Sequence, residues 1–202
     1  MNISKRINRS EFFKNVLTLA TGNVVGQAIG LLMTLVLARI YTSEDFGSFG
    51  LVMAISSGIA IIISFRYELA IMRPKEDADA YKVLILALFI CTAISLVSLI
   101  VISFIVITNS HIPKWYLLVP FMSLAIGIFQ IFNNWANRQK KYKRIAASRI
   151  IASSVNSTTS IGFGLLNFGG FGLFLGNFVG QVISSLNLIS ISTLIKNIKA
   201  IK

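Results

Sequence analysis

The stretch VLILALFICTAISLVSLIVISFIVI, residues 83–107, contains no charged side chain. At about 1.5 Å of rise per residue, a helix over this run is long enough to cross the roughly 30 Å hydrocarbon layer of a bilayer. Five further segments meet the same requirement, at about 15–38, 46–66, 115–136, 148–168 and 171–195. With a third helix set at 82–107, the expectation is an all-α fold, a polytopic membrane helix bundle of six transmembrane helices. The fifth segment is the weakest, because Ser153, Ser154, Asn156, Ser157, Thr158, Thr159 and Ser160 crowd its middle. Residues 167–170 are the only gap between the fifth and sixth segments, so these should form a tight helical hairpin.

Composition agrees. Of 202 residues, 55% are hydrophobic and 13% charged, against about 25% charged in a typical soluble domain. The first dozen residues are polar and basic, and the apolar block after them is too long for the core of a signal peptide. That block carries no small-residue cleavage pattern behind it and reads as a retained helix. No long linker or low-complexity segment interrupts residues 1–202, which read as a single membrane domain.

The net charge is +12. In a soluble protein that would suggest nucleic acid. Here the basic residues sit between apolar blocks, so they report topology, and nucleic acid is not an expected partner. Lys5, Arg6, Arg9 and Lys14 precede the first helix, and Arg66, Arg73, Lys75 and Lys82 fill the second connection. Arg138, Lys140, Lys141, Lys143, Arg144 and Arg149 fill the fourth, and Lys196, Lys199 and Lys202 follow the sixth helix. The other side holds only Arg39 and Lys114, so the division is seventeen against two. By the positive-inside rule, both termini are expected in the cytoplasm, for a chain expected in the cytoplasmic (inner) membrane. Trp115 and Tyr116 then open the fourth helix at the outer interface, where amphipathic rings are favoured.

Polar residues inside these helices fall at helical spacing. The first helix carries Asn23, Gln27, Gly30 and Thr34. The fourth carries Ser123, Gly127, Gln130, Asn134 and Asn137, leading to Lys141. The fifth carries Ser153, Asn156, Ser157 and Ser160, and the sixth Asn177, Gln181 and Ser184. Each set shares one face of its helix. Two explanations fit: hydrogen bonds between helices, or a hydrated cavity faced by all four stripes. The second and third helices lack stripes and should lie more toward lipid. Gly22, Gly26 and Gly30 form a small-residue ladder, as do Gly172, Gly176 and Gly180, and such ladders let helix backbones approach closely. GNVVGQAIGLL (22–32) and GNFVGQVISSL (176–186) agree at seven of eleven positions. One short match of small and apolar residues carries no weight by itself.

Chemistry of the covalent kind finds little support. Cys91 is the only cysteine and His111 the only histidine, which excludes an intramolecular disulfide, a Cys-based metal site and a His pair. Asp77-Ala-Asp79 resembles a DxD metal motif but lies in a loop of mixed charge with no surrounding soluble fold. There is no Gly-rich phosphate loop and no Ser/His/Asp set. The chain is expected not to be an enzyme and to use no cofactor. The helix interiors contain no Asp or Glu, whereas ion-coupled pumps commonly use intramembrane carboxylates. Amides rimmed by Arg39, Arg66 and Arg138 suit an anionic, hydroxyl-rich substrate, since arginine grips phosphate bidentately. The same arginines also fit as snorkelling topology anchors.

The stretch FFKNVLTLATGNVVGQAIGLLMTLVLARIYTSEDFGSFG (12–50) resembles the start of bacterial polysaccharide biosynthesis proteins of the O-antigen flippase type. The likeness rests on Gly-Asn-x-x-Gly-Gln, Ala38-Arg39-x-Tyr41 and Asp45-Phe46-Gly47. It continues through RYELAIMRPKEDADA (66–80), Tyr142-Lys143-Arg144 and the Gly-rich fifth–sixth hairpin. The resemblance implies the multidrug/oligosaccharidyl-lipid/polysaccharide exporter superfamily, whose members have two lobes around a central cavity, and these six helices match one lobe. It implies translocation of a lipid-linked oligosaccharide on a polyprenyl pyrophosphate, here as a half or truncated transporter completed by a second lobe or a homodimer. Membrane lipids are the other expected partners. Candidate head-group contacts are Asn23, Gln27, Arg39, Arg66, Gln130, Asn134 and Asn156. Two other readings stand beside this one: a drug exporter, disfavoured by the abundance of amides, and a non-transporting membrane scaffold that associates with a longer flippase.

Overall fold

Helix boundaries follow local capping chemistry. A computed structural model describes residues 9–63, 65–109 and 112–189, and among these there is no strand. The long first helix, α1 (Arg9–Ile40), ends at a corner where Thr42 and Asp45 form a reciprocal capping box for α2 (Ser43–Ile62). Such a box satisfies backbone N–H groups that a helix start leaves free. The second segment, expected to reach residue 66, stops at Ile62. Phe65 (φ 46°) and Arg66 (φ 61°) adopt the left-handed region, which costs a non-glycine residue energy and cannot continue a right-handed helix. A single turn, α3 (Tyr67–Ala70), follows.

The central apolar run forms α4 (Asp77–Thr108), with Asp77 and Asp79 in its first turn, where acids complement the helix dipole. The fourth segment is a 3₁₀ turn at Lys114–Leu118, holding Trp115 and Tyr116, followed by α5 (Val119–Arg138) with Pro120 at its start. The fifth begins six residues earlier than expected, as α6 (Tyr142–Leu165). Gly169 (φ 56°, ψ −152°) occupies a conformation nearly closed to other residues and turns the chain into α7 (Gly170–Leu188). The expected end of the sixth helix at residue 195, and the basic residues Lys5, Arg6, Lys196, Lys199 and Lys202, lie outside the described residues.

The fold is thus an all-α, multi-pass membrane bundle, with six long helices among the described residues. Five of them are both long and apolar enough to cross a bilayer. The other, α6, matches them in length, at 24 residues, but its polar middle lowers its hydropathy.

That polar helix is clamped between two others by the two glycine ladders. A Cβ added at Gly22 would lie 2.6 Å from Ala146 Cα, one at Gly26 would lie 3.1 Å from the Arg149 carbonyl oxygen, and one at Gly30 would lie 3.3 Å from Ser153 Oγ. On the opposite ladder, Gly172 meets Phe163, Gly176 meets Asn156 and Ser160, and Gly180 meets Ala152. The order of these contacts makes α1 parallel to α6 and α7 antiparallel to it. First, fifth and sixth crossings must run this way, so the packing agrees with the parity of a six-crossing chain. From α7 the bundle continues through α5 and α2 to α4. Val52, Val119, Met122 and Phe174 join α2, α5 and α7, while Ile63, Leu84, Cys91, Ile131 and Trp135 join α4 and α5 to the end of α2. The outer face of α4 exposes Ile85, Phe89, Val97, Ile100, Phe104 and Ile107, a surface suited to lipid.

Candidate polar groove

The glycines that bring α1 and α7 against α6 also fix where their amides point. In each copy of the GNxVGQ pattern, the glycines touch α6 while the Asn and Gln one residue further on line a cavity beside it. Asn23 and Gln27 come from α1, and Asn177 and Gln181 from α7. The floor is α6, which contributes Arg149, Ala152, Ser153 and Asn156. The cavity measures about 250 Å³. From Arg149 to Asn156 the floor extends about 10 Å along α6. Asn23, Gln27 and Arg149 are exposed to this groove, and Asn156, Asn177 and Gln181 are half-buried.

The groove combines one cation with five amides and has no carboxylate among its lining residues. The Arg149 guanidinium lies over the ring of Phe129, 5.1 Å from its centroid, a cation–π contact that fixes the side chain without using its N–H donors. Among the described residues, no hydrogen bond or ion pair engages those donors. Asn177 Oδ1 and Gln181 Oε1 are buried acceptors without a partner among the described residues. Buried polar atoms are seldom left unpaired in folded proteins, because each costs about 1–3 kcal/mol. Asn156 Oδ1 accepts from the Ser160 hydroxyl at 3.2 Å, which orients that amide. Chemically, the groove offers a planar five-donor cation beside free amide oxygens, and it suits an anion flanked by hydroxyl groups.

Three of the seven sequence-selected residues, Asn23, Gln27 and Asn156, meet in this groove. The other four do not. Gln130 and Asn134 share a face of α5 with Gly127, whose added Cβ would approach Cys91 Sγ at 2.7 Å and Ile63 Cγ2 at 2.9 Å. Their stripe is therefore directed at the α2 and α4 side, and Asn134 returns its amide N–H to the Gln130 carbonyl at 3.1 Å. Arg39, exposed in the last turn of α1, lies twelve residues from Gln27, about 18 Å along the helix. Arg66 is exposed in the left-handed break between α2 and α3, and α3 packs on α4 and α5.

In the sequence, Arg149 is one more topological charge, and Asn177 and Gln181 form only a stripe on their own helix. The signal that joins them to Asn23 and Gln27 is the seven-in-eleven repeat, whose two copies flank α6.

Several residues that carried the family resemblance do structural work. The Tyr41 hydroxyl donates to the Ser160 carbonyl at 2.6 Å, and burial pushes its pKa up, with the Asp45 charge adding to the effect. Asp45 Oδ1 accepts from the Gly170 N–H at 2.7 Å. Together they latch the α1–α2 corner to the α6–α7 turn. At the other end, Arg138 donates to the carbonyls of Ile71, Pro74 and Glu76 and pairs with Asp77 at 3.0 Å. Asp79 pairs with Lys82. The Asp77-Ala-Asp79 carboxylates are thus engaged in ion pairs, and the described residues include no His/Cys/Asp/Glu group arranged to hold a metal.

A family model described as "Polysaccharide biosynthesis protein" matches residues 12–201. No curated protein and no solved structure gave a match. The match runs from the first turns of α1 past the end of α7 and so includes both glycine ladders and every residue of the groove. The chain belongs to the polysaccharide biosynthesis protein family.

Proposed function

We propose that this chain takes part in moving a lipid-linked oligosaccharide across the cytoplasmic membrane, with the groove taking the polar head group. The observation that supports this most is Arg149, a cation without a hydrogen-bonding partner among the described residues, set among five amides inside a membrane bundle. A guanidinium matches the oxygens of a pyrophosphate bidentately. Amide oxygens such as those of Asn177 and Gln181 accept from sugar hydroxyls, while the polyprenyl tail stays in lipid. The chain makes and breaks no bond in this scheme.

The groove is open on one side, where Asn23, Gln27 and Arg149 are exposed. A charged residue facing hydrocarbon costs about 2.5–3.5 kcal/mol or more. Further protein, either a second lobe or a second copy of the chain, covers that side in the working transporter. The excess of basic residues in the α5–α6 connection supports a cytoplasmic position for that end of the groove.

The test is surface polysaccharide in cells that depend on this protein, with protein level measured in parallel. Arg149→Ala should abolish most of the polysaccharide at normal protein level, and Arg149→Lys should keep part of it. Full polysaccharide with Arg149→Ala would refute the assignment.

A further inference from the structure

A second hollow, of about 290 Å³, opens where α5 gives way to α6. It is lined by Asn15, Lys140, Lys141, Tyr142, Lys143 and Arg144. Four of these six are cations and none is an acid. Burial, and then the neighbouring Arg144 guanidinium, push the Lys141 ammonium below its ordinary pKa. The backbone adds to the same sign. Lys140 is left-handed (φ 56°) and turns the chain sharply, and α6 then starts at Tyr142 with no side-chain cap. Lys143 and Arg144 thus fall in the first turn of a helix, at the positive end of its dipole, where acids are normally favoured. An anion in the hollow would offset the charges of Lys143 and Arg144 at this helix start.

We propose that the hollow binds the phosphate of an anionic phospholipid. The choice of a lipid over a soluble phosphate comes from α1. Asn15 lines the hollow, and its neighbours Phe13, Val16 and Leu17 are large apolar residues left exposed. The acyl chains of a lipid whose phosphate sits in the hollow would pass round α1 from the Asn15 side onto this apolar flank, which starts about 100° round the helix at Val16. The hollow also lies at the ends of two membrane-spanning stretches, Phe13–Ile40 and Lys114–Arg138, the depth at which head groups sit. The proposal concerns bulk membrane lipid and does not depend on what the groove transports.

Native mass spectrometry of the purified full chain tests this, with phosphatidylglycerol and phosphatidylcholine of matched acyl chains as probes. Phosphatidylglycerol should bind preferentially. Its occupancy should fall by roughly tenfold in Lys143→Gln/Arg144→Gln, from the loss of two membrane-surface charges. The control Arg73→Gln/Lys75→Gln removes the same charge from another connection and should leave occupancy unchanged. Lys143→Arg/Arg144→Lys keeps the charge and should keep binding, which separates a lost site from a misfolded chain. Equal loss in the control, equal binding of phosphatidylcholine, or displacement by inorganic phosphate of the phosphatidylglycerol that depends on Lys143 and Arg144 would each overturn the proposal.

Discussion

One methyl group added at Gly176 should cost more stability than its size suggests. A Cβ there would stand 2.8 Å from the Asn156 carbonyl oxygen and 3.0 Å from Asn156 Oδ1, whereas ordinary contact begins at 3.4 Å. To make room, α6 must back away from α7. It has nowhere to go, because on its other side the Cβ position of Gly22 is already 2.6 Å from Ala146 Cα and that of Gly26 is 3.1 Å from the Arg149 carbonyl. Overpacking of this kind costs about 1–3 kcal/mol, and about 2 kcal/mol is expected for Gly176→Ala. Gly162 is the matched control: it lies in α6 with nothing within 4 Å of its Cβ position. Replacing a helical glycine there by alanine should gain about 0.5–1 kcal/mol. At about 2–4 °C per kcal/mol for a chain of this size, Gly176→Ala should melt about 4–8 °C lower than the parent and Gly162→Ala slightly higher. Cys91 is the only cysteine and is fully buried, so a thiol-reactive fluorophore reports unfolding of the purified chain. A Gly176→Ala protein that melts at or above the parent would refute the clamped-helix reasoning.

Other substitutions address the two ends of the bundle. Arg138→Gln removes a guanidinium that holds three carbonyls and Asp77, and should lower stability by about 1.5–3 kcal/mol in the same melt. Tyr41→Phe removes the buried hydroxyl that donates to Ser160 and should cost about 1 kcal/mol; no change would show that the outer latch contributes nothing. In a Cys91→Ser background, a cysteine placed at position 114 should react with an impermeant thiol reagent on intact cells, while one at 141 should not. The reverse pattern would invert the topology.

Much of the fold was legible because lipid leaves few choices. Apolar runs of helical length and alternating basic connections mark the crossings, and small-residue ladders mark where backbones meet. The ends were less legible. The second helix stops early because Phe65 and Arg66 turn left-handed, which neither residue type announces. The fifth starts early because Lys143 and Arg144, read as loop charges, lie in the first turn of α6. The groove was half legible. Helical spacing shows that Gln130 and Asn134 share a face, as do Asn23 and Gln27, but not which neighbour that face meets. In one case it is the Cys91 and Ile63 side and in the other the groove. A basic residue about two turns inside a helix looks the same in sequence whether it snorkels to the interface or lines a cavity. Arg149 was therefore identified only by its place over Phe129 beside the amides of α1 and α7.

Site-specific photocrosslinking to a labelled lipid-linked oligosaccharide in membranes tests the groove most directly. A photoreactive residue would be placed singly at positions 27, 156, 181, 66 and 130. Positions 27, 156 and 181 line the groove, and crosslinks are expected there and not at 66 or 130. Crosslinking at 130 and 66 with none at 27, 156 or 181 would mean that the head group travels along α5 and that the groove is not its path.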